Sequence, residues 1–265
     1  MSTDLLIYSA YLILGAIAGL AGGLFGLGGG IIIVPTLLFL FMWQGLPADI
    51  LMHLAVATSL FTIIFTSVSS SYTHHIHQAV LWRQVFLLTP GIMIGAVAGA
   101  LIADHLASDI LRRVFGLFEI CVACQLGFSV KPTAHRSLPE RNGMLFSGGI
   151  IGILSTILGI AGGSITVPFL MWCNVGIRKA VATSAACGFP IAVAGTLAMI
   201  FTGLDASQLP ENTIGYVHWP AAILIIIPSV LFAPMGAKLA HTIPVDSLKR
   251  LFAIVLAGVG LRMLF

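Results

Sequence analysis

Residues 19–35 read GLAGGLFGLGGGIIIVP, and residues 152–168 read GILSTILGIAGGSITVP. Seven of the 17 aligned positions are identical, a glycine pair and a closing proline among them. Clustered glycines interrupt helices, so each stretch predicts a helix break followed by a new helical start. The same break therefore occurs twice in one chain.

Two further blocks repeat in the same order. The sequence AVATS at residues 55–59 recurs unchanged at residues 180–184. A third block pairs Gly99-Ala100, Asp109, Leu111 and Phe115 with Gly236-Ala237, Asp246, Leu248 and Phe252 at one constant offset. Three blocks in one order indicate a duplication. We predict a first membrane repeat at residues 1–128, a linker at 129–142 and a second membrane repeat at 143–265.

The composition excludes a soluble globule. Of 265 residues, 58% are apolar and only 8% are charged, and the mean hydropathy is +1.08. A soluble domain carries about 25% charged residues, so this chain needs lipid around it and is predicted to be a multi-pass membrane protein. The net charge of +3 is small and dispersed, which excludes nucleic acid as a partner.

Ten apolar runs follow one another, five in each repeat. They cover residues 5–25, 31–43, 50–72, 84–103 and 109–128, and then 143–159, 163–175, 180–203, 217–240 and 247–265. A helix needs about 20 residues to cross the hydrocarbon, and the runs at 31–43 and 163–175 are shorter than that. We therefore predict an all-α protein with 8–10 membrane segments, in which the first pair of each half can be re-entrant.

The basic residues predict the orientation. With five segments per half and the N-terminus outside, nine Lys and Arg residues fall inside and three fall outside; with four per half, the better orientation gives seven against five. The positive-inside rule therefore favours inverted repeats. The first 82 residues contain no Lys or Arg, so the start is expected to be an uncleaved membrane segment with an extracytoplasmic N-terminus in the inner (plasma) membrane.

Inverted repeats with broken helices are a recurring plan in secondary transporters. Glycine lets the backbone approach a ligand, and the helix that follows presents free N–H groups and a positive dipole end. We therefore expect the two breaks to bind a small anion. The candidate ligands are the break residues and the two hydroxyl pairs of the AVATS blocks: Gly28, Gly29, Gly30, Thr58, Ser59, Gly162, Gly163, Ser164, Thr183 and Ser184.

Alternatives accompany these assignments. Small residues also let membrane helices pack closely, and packing is the preferred interpretation for the series Gly15, Gly19, Gly23 and the series Gly91, Gly95, Gly99. The hydroxyls of residues 58–59 and 183–184 can donate to an anion, bond their own helix carbonyls or join two helices.

Three further groups carry titratable or metal-binding chemistry. Glu119 lies near mid-membrane, where an ionisable group is expensive and usually functional, so it is a candidate proton carrier or a group that holds helices together. His74, His75 and His77 are expected in a solvated cytoplasmic loop. Cys121 and Cys124 lie one helical turn apart, which fits packing in the membrane or a thiol relay. The sequence predicts no metal, no cofactor and no enzymatic activity, because it carries no P-loop and no nucleophile with a nearby base.

The duplicated glycine block and the AVATS block together resemble the sulfite exporter TauE/SafE family of membrane transporters, over essentially the whole chain. The resemblance implies a bacterial or archaeal inner-membrane permease for sulfite, sulfoacetate or related sulfonates, with about eight membrane helices. The first copy carries Gly28 and Ile31 where the second carries Ala161 and Ser164.

The membrane potential agrees with export. A membrane that is negative inside drives a monoanion outward by about 2.3 kcal/mol per 100 mV. We therefore expect an exporter of small sulfur-containing oxyanions that works by alternating access. A proton-coupled importer using Glu119, a sulfur-relay protein using Cys121 and Cys124, and an ion channel are the alternatives, and the sequence leaves homo-oligomerisation open.

Overall fold

The computed structural model describes residues 2–26, 28–127, 137–206, 209–242 and 246–264. This part of the chain forms ten α-helices in two sets of five. The first set is α1 (Ser2–Phe25), α2 (Gly30–Trp43), α3 (Leu51–Ile76), α4 (Trp82–His105) and α5 (Ser108–Gly127). The second set is α6 (Arg141–Leu158), α7 (Gly163–Trp172), α8 (Ile177–Gly203), α9 (Trp219–Thr242) and α10 (Asp246–Leu264). The predicted all-α class is confirmed.

The predicted boundaries lie within a few residues of the observed ones; α1 begins at Ser2 rather than at residue 5, and α8 at Ile177 rather than at 180. Helix α3 continues to Ile76 rather than ending at residue 72, and α7 ends at Trp172 rather than at 175. Arg141 and Asn142, predicted to end the linker, are the first residues of α6. Residues 129–136 of the predicted linker, including Lys131 and Arg136, lie outside the described residues.

In the described part of the chain, six helices are long and apolar enough to cross a membrane. They cover Leu5–Phe25, Ala48–Ile76, Trp82–His105, Arg141–Leu158, Ile177–Gly203 and Trp219–Ala240. Helices α5 and α10 have 20 and 19 residues but carry more charge. Large apolar side chains point out of the protein along the spans, such as Phe86, Ile94 and Phe146. Lipid accommodates such a surface, so the chain is a multi-pass membrane protein.

The two glycine series join helices. A Cβ added to Gly19 of α1 would lie 2.4 Å from the Ser229 carbonyl oxygen of α9. A Cβ added to Gly95 of α4 would lie 2.1 Å from the Gly149 carbonyl oxygen of α6. Both distances are far below contact distance, so only glycine lets these backbones touch. The packing interpretation of the two series is confirmed.

The helix pairs follow a two-fold exchange of the repeats. Helix α1 packs on α9, and α4 packs on α6. Because α6 is the copy of α1 and α9 is the copy of α4, replacing each helix by its copy turns one pair into the other. Helix α3 packs on its own copy α8. In that pair Gly195 lies beside Leu60 and Gly188 beside Ser67, so the two copies run antiparallel. Such a relation is expected of inverted repeats.

Helix α2 folds back along α1. Gln44, which caps the end of α2, donates a hydrogen bond to the Tyr11 hydroxyl near the start of α1. At the other end of the pair, a Cβ on Gly29 would lie 2.7 Å from the Ala18 carbonyl oxygen. The 14-residue helix α2 therefore returns toward the side from which α1 started, as a re-entrant segment does.

A small hairpin precedes α9. Strands β1 (Thr213–Ile214) and β2 (Val217–His218) pair antiparallel. The buried Tyr216 hydroxyl donates to Asp104 Oδ1 at 2.9 Å, and its ring lies 5.0 Å from that of His53. The sequence predicts a loop here; the structure folds it against the ends of α3 and α4.

Candidate functional site: the paired glycine breaks

Left-handed glycines make both helix breaks. Gly26, Gly28 and Gly29 have φ of 68°, 66° and 80°, and Gly159 and Gly162 have φ of 64° and 76°. A side chain in this region costs about 1–2 kcal/mol, which is why glycine is used. Gly29 and Gly162 are the N-cap residues of the short helices α2 and α7.

The two breaks touch each other. A Cβ on Gly28 would lie 2.2 Å from the Ala161 Cβ, and one on Gly30 would lie 2.4 Å from the Gly159 carbonyl oxygen. Gly28 and Ala161 are equivalent positions of the two repeats. The breaks are buried, and the Ile63 side chain packs against Gly28 and Gly30. The structure therefore shows the breaks closed against one another.

The serines of the AVATS blocks bind the opposite break. Ser59 Oγ donates to the Gly159 carbonyl oxygen at 2.8 Å, and Ser184 Oγ donates to the Gly26 carbonyl oxygen at 3.0 Å. Gly26 and Gly159 are themselves equivalent positions. Since each hydroxyl has one proton, neither serine can donate to an anion in this conformation.

The threonines of the same blocks hold helix starts. Thr58 Oγ1 accepts the His218 N–H at 3.0 Å, just before α9, and Thr183 Oγ1 accepts the Leu81 N–H at 3.1 Å, just before α4. These four bonds explain why the block recurs unchanged, because every polar side chain in it joins one half to the other.

The short helices point free amides at the breaks. In each short helix, the third and fourth N–H groups donate to the carbonyl oxygen of the N-cap glycine. The first two N–H groups, those of Gly30 and Ile31 in α2 and of Gly163 and Ser164 in α7, have no acceptor within the described ranges. Free amides and the positive dipole end favour an anion.

The family comparison decides the class of protein. The sequence profile of the sulfite exporter TauE/SafE family matches residues 11–263. The chain belongs to the sulfite exporter TauE/SafE family. The sequence resemblance is thereby confirmed.

TauE/SafE relatives are similar over nearly their whole length. A probable membrane transporter protein of Haemophilus influenzae is 34% identical, covering 95% of this chain and 96% of the relative. One of Methanocaldococcus jannaschii is 29% identical, covering 98% and 96%. Another of Escherichia coli K12 is 24% identical, covering 95% and 86%. Together with the membrane spans, the family makes this chain a membrane transporter.

Four buried hydroxyls of this TauE/SafE protein were missed from the sequence. Ser155, Thr156, Thr166 and Thr196 are at most 2% exposed, and their oxygens have no hydrogen-bond partner in the described part of the chain. The repeat alignment could have indicated them, because these hydroxyls occur in only one copy. The first copy has Gly22, Gly23 and Ile33 in place of Ser155, Thr156 and Thr166.

Glu119 lies between α5 and α10. It is fully buried, and both carboxyl oxygens are without a partner among the described residues. A Cβ on Gly260 would lie 3.1 Å from the Glu119 Cβ, so the missing side chain of Gly260 makes space for it. The structure thus places Glu119 in the α5–α10 pair rather than at the breaks.

The expectation for His74 needs correction, whereas His75 and His77 are exposed as predicted. His74 lies in α3, is fully buried, and its Nε2 is 3.3 Å from the Gly23 carbonyl oxygen, so it does not belong to a solvated loop. Cys121 and Cys124 are exposed on α5, so neither thiol is buried between described helices. The described residues contain no group of three His, Cys, Asp or Glu that could hold a metal ion.

A cationic cavity of about 430 Å³ lies between the starts of α4 and α6, lined by Arg83, Phe86, Leu87, Pro90, Arg141 and Leu145. Helix α6 leads from here to the second break, which is about 20 Å along the axis from Leu145. The cavity is therefore separate from the breaks.

Proposed function

We propose that this protein is a secondary transporter that exports small sulfur-containing oxyanions, such as sulfite or organosulfonates, by alternating access at the paired glycine breaks. The observation that carries the proposal is the contact between the breaks, with Gly28 against Ala161 and each break bonded to a serine of the opposite half.

The breaks offer binding without a buried cation. The free amides of Gly30, Ile31, Gly163 and Ser164 lie at the positive ends of two short helices. Such ends bind anions, and a site made of neutral groups can release its ligand again. The anion would enter where Gly28 and Ala161 now touch.

Alternating access follows from inverted repeats at residues 1–128 and 143–265. The antiparallel course of α3 and α8 and the exchange of the α1–α9 and α4–α6 pairs support this inversion. The Ser59–Gly159 and Ser184–Gly26 bonds are equivalent under the repeat. Releasing one while keeping the other would open the breaks toward one side at a time.

The proposed direction of transport rests on the positions of the basic residues and on the membrane potential. We place the N-terminus outside the inner membrane, so that Arg83 and Arg141 lie on the cytoplasmic side, as the positive-inside rule favours. The membrane potential then drives a bound monoanion outward without a coupling ion.

Flux measurements in proteoliposomes test the proposal. Purified protein is reconstituted, and efflux of sulfite, sulfate, thiosulfate and sulfoacetate is followed against protein-free liposomes. We expect saturable sulfite or sulfoacetate flux that is accelerated by the same anion on the opposite side. Linear flux without this trans-stimulation would indicate a channel, and the absence of flux for every anion would overturn the substrate class.

A proton-coupled importer is the second candidate, because Glu119 is a buried carboxyl with no partner in the described residues. A sulfur relay would need both Cys121 and Cys124, which are exposed on the outer face of α5. Replacing both with Ser should leave flux unchanged; loss of flux would favour the relay.

A further inference from the structure

The hydroxyls of Ser155, Thr156, Thr166 and Thr196 differ from those of Ser59, Thr62 and Thr66 beside the breaks. In α3, Thr62 and Thr66 donate to carbonyls one turn earlier in the helix, and Ser59 donates to Gly159. Bonds of that kind are the usual arrangement for Ser and Thr in membrane helices. The four second-half hydroxyls are equally buried but make no such bond in the described residues. They form a set of polar groups for which the described part of the closed protein supplies no partner.

These hydroxyls belong to three neighbouring helices, Ser155 and Thr156 to α6, Thr166 to α7 and Thr196 to α8. Ser155 Oγ is 2.9 Å from the position of a Cβ on Gly162, the N-cap residue of α7. Thr166 belongs to the first turn of α7, since its N–H donates to the Gly162 carbonyl oxygen at 2.7 Å. Thr156 Oγ1 is 3.0 Å from the position of a Cβ on Gly195, the residue before Thr196. Among the described residues, an unpartnered hydroxyl thus lies beside the start of a ten-residue helix whose first two amides also have no acceptor.

The first break has no equivalent set at the matching positions, although Ser70 of α3 is also buried and its hydroxyl has no partner among the described residues. Gly22, Gly23 and Ile33 stand at the matching positions, and a Cβ on Gly22 would lie 2.9 Å from the Gly29 nitrogen. Ser71, which matches Thr196, is half-buried and donates to the Val68 carbonyl oxygen within its own helix. The first half fills this space with its own backbone, whereas the second half lines it with hydroxyls.

We propose that the two breaks are unequal in binding, and that the hydroxyls of Ser155, Thr156, Thr166 and Thr196, with the free amides of Gly163 and Ser164, form the seat for the –SO₃ group of the transported anion. This inference rests on the proposed function and names the residues that recognise the substrate class. The first break then supplies the glycine surface that closes over the bound anion.

The chemistry suits an anion with several oxygens. A hydroxyl can turn its proton toward whichever oxygen is nearest, and hydrogen bonds to a charged group are stronger than those between neutral groups. A protonated amine would meet the positive end of α7, so the seat discriminates against cations.

Substitutions that keep shape and remove the hydroxyl test the seat. Ser155→Ala, Thr166→Val and Thr196→Val are compared with Thr89→Val as the matched control, because Thr89 lies in α4 and donates within its own helix to the Val85 carbonyl oxygen. Sulfite and sulfoacetate efflux from proteoliposomes gives the half-saturating concentration. The shift of the unfolding temperature by added sulfite, in lipid nanodiscs, gives binding independently of transport.

We expect each seat variant to raise the half-saturating sulfite concentration about tenfold or more, the loss expected for one hydrogen bond to a charged group. The same variants should reduce the sulfite-induced stabilisation while keeping the unfolding temperature without sulfite at or above that of the wild type, because no internal bond is removed. Thr89→Val should match the wild type in sulfite affinity.

Wild-type flux with unchanged affinity in all three variants would overturn the seat and leave the proposed function standing. No flux from the wild type for any panel anion would overturn the proposed function, and the seat with it.

Discussion

Ser59 of the first half donates a 2.8 Å hydrogen bond to the Gly159 carbonyl oxygen of the second half. The repeat produces the same bond in reverse, from Ser184 to Gly26. A carbonyl freed at a helix break has no intrahelical donor, and in a membrane it must find one inside the protein. The serine supplies it from the opposite half, so the two breaks are stable only together.

Removing either serine hydroxyl should weaken the closed state. We expect Ser59→Ala and Ser184→Ala each to lower the free energy of unfolding by about 0.5–2 kcal/mol, since a buried carbonyl loses its donor. The measurement is thermal unfolding in nanodiscs, with Ser9→Ala as the control because the Ser9 hydroxyl donates only within α1, to the Leu6 carbonyl oxygen. Variants as stable as the wild type would show that the bonds contribute nothing.

Contact between the breaks can be separated from backbone strain. Gly28 and Gly45 both have positive φ, 66° and 73°, but a Cβ on Gly45 meets nothing within 4 Å. Both alanine variants carry the same strain, and only Gly28→Ala also collides with Ala161, adding about 1–3 kcal/mol. We expect loss of sulfite flux in Gly28→Ala and not in Gly45→Ala.

A second change checks this assignment. Ala161→Gly in the Gly28→Ala background removes the colliding methyl group and should restore part of the flux. If it restores none, the defect of Gly28→Ala does not come from this contact.

Glu119 distinguishes export from proton-coupled import. Glu119→Gln keeps the shape of the carboxyl but cannot carry a proton, and Glu119→Leu copies Leu256, the equivalent residue of the second half. If the potential alone drives the anion, both variants should export sulfite at about the wild-type rate. Vesicles with an imposed pH gradient provide the measurement, and loss of uphill uptake in Glu119→Gln would establish the importer instead.

His218 predicts sensitivity to acid. It lies outside the span that begins at Trp219, its Nδ1 accepts the Ala221 N–H at 3.3 Å, and burial lowers its pKa from 6.5 to about 4. A lowered pKa contributes stability that is present above pH 6.5 and is lost as the pH falls toward 4, up to about 3 kcal/mol.

The test compares unfolding temperatures at pH 7 and pH 4.5. His218→Asn keeps an acceptor for the helix start and should lose less stability on acidification than the wild type. His105→Asn, at an exposed histidine, should behave as the wild type. Equal acid losses in the wild type and His218→Asn would contradict the prediction.

Much of the molecule could be predicted because its patterns are local. The glycine pairs before Pro35 and Pro168 marked the breaks, and hydropathy marked all ten helices. The burial of His74 could not be predicted, since α1 reaches it from far along the chain. Nor could the hairpin at residues 213–218, whose position depends on Asp104 and His53.

The sequence alone determined that this chain lies in lipid, that it is a duplication and that each copy has a helix break, because composition and spacing are written along the chain. The tertiary structure decided which groups remain free at the breaks. It committed Ser59 and Ser184 to the opposite carbonyls and left Ser155 and Thr166 without partners among the described residues. Hydrogen bonding between residues a hundred positions apart depends on how the halves pack, and no local pattern records it.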